Sequence, residues 1–189
     1  MDPEYRYFLG FRPALALRAL LAAQQARAGQ HKRRVEAARL HLTLCTVAER
    51  RATDASLVAR VAAALADRLP EAPPIRLGRV HARARGAEIV TRGQRREICG
   101  FYEAAAARLR AAGIAPLHRK AGLRPHITLG YDACAFASFD IAAWWLPEDL
   151  LLIESHVGKG RHVVLLRLPL ARPAQASFAF DEPPLRLAA

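Results

Sequence analysis

"RLHLTL" at residues 39–44 and "RPHITL" at residues 124–129 are one frame written twice: an arginine, a histidine two places on, a threonine two further, then leucine. Polar and apolar residues alternate strictly through the first six residues of "RLHLTLCTV" (39–47), the period of a strand with one buried face. That alternation sets Arg39, His41, Thr43 and Cys45 on one side and Leu40, Leu42 and Leu44 on the other. In the second copy Arg124, His126, Thr128 and Gly130 share a face. Side chains two apart on a strand stand roughly 6.5–7 Å from each other on the same side. Each histidine therefore shares its space with its own threonine.

Around these strands the pattern is mixed. "YRYFLGF" (5–11) has the aromatic and aliphatic content of a strand, and Pro13 suits the first turn of the helix that Ala- and Leu-rich residues 13–28 predict. "GQHKRRVEAA" (29–38) breaks that pattern and reads as a basic loop. Thr53 or Asp54 is the expected N-cap of a second helix, with Pro70 as its stop. Residues 74–93 read as two strands meeting near Arg85 and Gly86, and a third helix follows over about 94–112. "LLLIESHVG" and "RHVVLLRLPL", separated by "GKG", predict a hairpin. The expected class is α+β: two pseudo-symmetric lobes, each a mainly antiparallel sheet with helices on its outer face, and a cleft between the sheets. Residues 1–170 form one such unit, and 171–189, with three prolines, a loosely packed tail.

Two facing strands of this kind supply two imidazoles and two hydroxyls. Imidazole carries protons well near neutrality because its ordinary pKa is about 6.5. A threonine hydroxyl donates to a phosphate oxygen from a restricted rotamer. A phosphodiester held between the rings would meet a base for attacking water on one side and an acid for the leaving oxygen on the other, with the hydroxyls on its non-bridging oxygens.

The pair "HLTL" (41–44) and "PHITL" (125–129) resembles the two H-x-T/S-x motifs of the 2H phosphoesterase superfamily, in particular its RNA 2′,3′-cyclic phosphodiesterases, also called 2′-5′ RNA ligases. The likeness takes in the opening strand and helix and the late "LLIESHVG", so it spans most of residues 5–170. The resemblance implies hydrolysis of a 2′,3′-cyclic phosphate to a 2′-phosphate with no cofactor and no metal. It implies His41 as the acid protonating the departing 3′ oxygen, His126 as the base activating water, and Thr43 and Thr128 as phosphate holders. The alternatives are ligation of 2′-5′ RNA ends through the same site, or a module that binds RNA ends or nucleotides without turnover.

Other residues carry weaker signals. Arg124 and Arg39, each two places before a motif histidine, can fork onto phosphate oxygens. Tyr7, Phe8 and Phe11 can stack on a base, and His31 and His118 can touch RNA from loops. His81, His156 and His162 share no such frame and are expected to be structural or at the surface. Cys45, Cys99 and Cys134 are widely spaced and odd in number, which suggests neither a disulfide framework nor a CxxC zinc or redox site. The net charge of +12 suits a polyanionic partner, RNA ends or cyclic nucleotides. With no uninterrupted apolar run of about eighteen residues and no secretory layout at the start, a cytoplasmic monomer without membrane or obligate protein partner is expected.

Overall fold

The computed structural model of the protein describes residues 2–29, 31–66, 69–83, 86–93, 95–117, 122–133 and 136–171. The elements run β1 (Tyr5–Phe11), α1 (Leu15–Arg27), β2 (His31–Arg34), β3 (Leu42–Arg50), α2 (Ala55–Ala64), β4 (Ile75–Arg83), β5 (Gly86–Thr91), α3 (Arg95–Ala111), β6 (His126–Ala133), β7 (Phe139–Trp145), β8 (Asp149–His156) and β9 (Arg161–Pro169). The class is α+β with a large antiparallel sheet, as the sequence predicts. The tail from residue 172, with His118 and Cys134, lies outside the described residues.

Strand order is β7-β4-β5-β6-β3-β1-β8-β9, with β2 on β6 as well. The two sheets expected from the sequence are joined into one: β6 meets β3 at the pair Leu42↔Ile127. Beyond that pair β6 turns to β2, through Arg34↔Gly130, Arg33↔Tyr131 and His31↔Ala133. The segment expected to be a basic loop is thus a strand, because the open edge of β6 needs a partner for its backbone groups. A 3₁₀ turn at Ala37–Arg39 carries the chain from β2 down to β3.

Helices α1, α2 and α3 each contribute buried residues to a core that also holds Tyr7, Leu9, Phe11, Leu42, Ile127 and Leu129. The N-cap of α2 is Asp54, whose Oδ1 accepts from the Leu57 amide, and this helix stops at Ala64, earlier than Pro70 would require. The other face of the sheet carries a small cluster of Phe8, Leu151 and Ile153.

Two details fix the sheet where the motifs lie. In α1, buried Gln25 donates through Nε2 to the carbonyls of both Val35 and Leu129, clamping the end of β2 to β6. On β1, Gly10 faces Thr43, and a Cβ there would come 2.5 Å from the Leu42 carbonyl oxygen. The Gly10→Ala variant must push β3 away, so it should lose about 1–3 kcal/mol of stability. Urea unfolding measures this, and an unchanged midpoint would show that the strands can part freely.

Candidate active site

Leu42 and Ile127 are both fully buried in the helix-covered core. Neighbours along a strand point to opposite faces, so His41, Thr43, His126 and Thr128 all emerge on the uncovered face. Because the pair is antiparallel, stepping one residue either way sets His41 opposite Thr128 and Thr43 opposite His126. The two copies of the frame thus lie side by side, head to tail. A cleft of about 260 Å³ opens where β3 and β6 diverge, lined by His41 and Thr128 among others. A hollow of about 190 Å³ beside it contains His126 and shares Thr128 and Tyr131 with the cleft.

Both imidazoles are held in the same manner. His41 Nδ1 lies 2.7 Å from the Arg39 carbonyl and His126 Nδ1 lies 2.8 Å from the Arg124 carbonyl. A carbonyl only accepts, so Nδ1 bears the proton in each neutral ring and Nε2 keeps its lone pair for the site.

Their surroundings differ. The His41 ring lies against Phe8, 4.7 Å between centroids. Burial pushes its pKa down to about 4; the bond to the Arg39 carbonyl opposes this, and the charges of Arg12, His126 and Arg39 reinforce it. His126 Nε2 is instead 3.9 Å from Oε2 of Glu88, a carboxylate that stabilises imidazolium. Glu88 also takes the Arg124 guanidinium through Oε1.

The remaining sequence expectations divide. Arg39 does line the cleft, though from the 3₁₀ turn rather than a strand. Arg124 precedes β6, and its half-exposed guanidinium is paired with Glu88. Tyr7 and Phe11 are 0% exposed and turned into the helix-side core, against their expected place on a substrate. Tyr7 Oη donates to Glu154, and burial followed by this carboxylate raises its pKa to about 12. The bulges of β1 against β3 leave Phe8 as the aromatic on the histidine side. His31 is in β2, but its side chain is outside the described residues. Cys45 is buried in the core.

Three neighbours of the site carry no repeated frame. His162 lines the cleft with its ring 5.1 Å from that of His41, and burial, then His41, lowers its pKa to about 4. Arg12, whose buried Nε has no hydrogen-bond partner, acts on His41 by its charge. Glu88 is the third. Among the described residues no group of His, Cys, Asp or Glu is set to hold a metal ion, and no helix is long and apolar enough to cross a membrane.

No protein-family model and no curated protein matches the sequence. Solved structures do match in fold. E. coli LigT complexed with 3′-AMP superposes with a TM-score of 0.72 at 20% identity, over 90% of this chain and 100% of that one. A protein described as a phosphoesterase gives 0.70 at 21% identity over the same shares. TT0787 of Thermus thermophilus gives 0.69 at 20%, over 87% of this chain and 97% of its own. The chain thus shares its fold with LigT and with a protein described as a phosphoesterase.

A folded pKa near 4 has two measurable consequences. By NMR, His41 should stay neutral until about pH 4 in the native protein; titration near the ordinary value of about 6.5 would contradict the burial described. Since the unfolded ring protonates first, the stability tied to neutral His41 is complete above about pH 6.5 and drains as pH falls toward the native value.

Proposed function

We propose that the protein hydrolyses 2′,3′-cyclic phosphates, at RNA ends or on cyclic nucleotides, to 2′-phosphates without metal or cofactor. The observation that carries this reading is the head-to-tail meeting of two His-x-Thr frames at Leu42↔Ile127, each imidazole presenting Nε2 because a backbone carbonyl holds Nδ1. The shared fold adds support, as do LigT structures complexed with 3′-AMP and with phosphate.

In the proposed reaction one neutral imidazole takes a proton from water as its oxygen bonds to phosphorus. The bond from phosphorus to the 3′ oxygen breaks, and the charged imidazole gives that oxygen its proton. Thr43 and Thr128 donate to the non-bridging oxygens, where charge accumulates. The resemblance implies His41 as acid and His126 as base. The surroundings of the two rings point the other way: burial holds His41 neutral, and the Glu88 carboxylate lies 3.9 Å from His126 Nε2. We assign the base to His41 and the acid to His126. The LigT likeness also keeps open the ligase direction, in which a 5′-hydroxyl replaces water at the same phosphorus and leaves a 2′-5′ bond.

Incubation with a 2′,3′-cyclic mononucleotide in the presence of chelator should yield the 2′-phosphate. Alanine at His41 or at His126 should each lower turnover by roughly 10²–10⁴, and full activity in either variant removes the proposal. A substrate with sulfur at the 3′ bridging position needs no acid for its leaving group. It should rescue His126→Ala but not His41→Ala, and the opposite pattern exchanges the roles.

The profile of kcat/KM against pH, which reports the free enzyme, should be bell-shaped. Its acid limb should lie near pH 4, where His41 gives up its proton. Its alkaline limb, set by His126, should move to lower pH in Glu88→Gln, since removing a carboxylate weakens the hold on that proton. A flat profile between about pH 4 and 9 contradicts the two-imidazole scheme.

A further inference from the structure

The cleft is larger than one phosphate needs, and its wall beyond the motif residues has a charge pattern of its own. Arg6, Arg33, Arg34 and Arg39 all line it, while among the described residues no aspartate or glutamate does. We infer that this wall holds a second phosphate, that of the nucleotide 5′ to the cyclic end, so that the substrate is an RNA 3′ end of at least two nucleotides. The inference rests on the proposed function and narrows its substrate class.

The direction follows from the chemistry of the substrate. A 2′,3′-cyclic phosphate closes the 3′ end, so the strand can continue only on its 5′ side, and the next charge met there is the adjoining phosphodiester. The cleft runs from Thr128 along β6 to Tyr131. Arg34 stands opposite Gly130, two residues beyond Thr128 and so roughly 6.5–7 Å along the strand, within reach of one nucleotide.

Arg34 is exposed and has no ion-pair partner among the described residues, so its five donors are available to a phosphate. Arg33 is engaged with Asp132 at 3.2 Å, but both side chains are largely exposed and such pairs are weak; a phosphate can draw it inward. The Arg33 guanidinium also lies 5.4 Å from the centre of the Tyr131 ring. Tyr131 is 45% exposed, which leaves a platform on which the base of the second nucleotide can stack.

The test uses product-like ligands, so that its outcome does not depend on turnover. Affinities of a mononucleotide 2′-phosphate and a dinucleotide ending in a 2′-phosphate are compared by calorimetry. The dinucleotide should bind about tenfold more tightly, the effect of one charge-assisted contact. Replacing its internal phosphodiester by an uncharged methylphosphonate should remove most of that preference, as should Arg34→Ala. The same variant should reduce the salt slope of dinucleotide binding by about 0.7. Equal affinities for the two ligands, or a preference that survives the methylphosphonate, overturns the inference. If the cyclic mononucleotide is hydrolysed and no preference exists, the subsite fails and the proposed function stands. A preference without hydrolysis of either cyclic ligand supports the subsite and sinks the proposed function.

Discussion

One backbone pairing, Leu42 with Ile127, decides where the chemistry lies. Side chains alternate along a strand, and the helices pack on only one face of the sheet, so burying these two aliphatic residues delivers four polar neighbours to the other face. A slip of one residue in either strand would put imidazoles into the core and leucines in the cleft. The hydrophobic effect thus enforces the site's register: the core cannot accept either histidine in place of the aliphatic side chain beside it.

The two strands cannot stay paired and also leave room for a substrate. They separate after a single pair, which would strand the backbone groups of β6 unless another segment took them up. The short basic strand β2 does this, and Val35 adds an amide bond to the Leu129 carbonyl. Gln25 completes the arrangement from the helix side. The element that closes the edge of β6 is therefore the one that brings Arg33 and Arg34 to the mouth of the cleft. Structural need and electrostatic surface come from the same four residues.

Long periodic segments make much of this readable from sequence. Alternation over residues 39–44 and the doubled frame locate both strands, and a breaker-free run rich in Ala and Leu locates α1. What escapes has physical causes. "HKRR" has no apolar face, so a strand held by pairing alone leaves no periodic trace. In "YRYFLGF" both faces carry aromatics, so the pattern does not say which side meets the helices; bulges in the β1–β3 ladder complicate the register further. Arg39 and Arg124 stand out in the sequence for their guanidinium groups, whereas the service common to both is a backbone carbonyl that orients a ring. That role is open to any residue type, so the sequence carries no mark of it. Glu88, Arg12 and His162 reach the site from strands and ends remote in sequence, and each is a single residue without a repeated frame.

Two near-identical frames suggest two equivalent imidazoles, yet acid–base catalysis needs them unequal. Nothing within either motif makes them so: the hydrogen bond at Nδ1 is the same for both. The difference comes from the strands alongside. β1 sets Phe8 against His41 and, just past its end, brings up the charge of Arg12, both of which disfavour a proton there. β5 sets Glu88 near His126, where a negative charge favours one. Arg124 is paired with the same carboxylate. Duplicated frames supply the groups, and their unlike neighbours divide the proton between them.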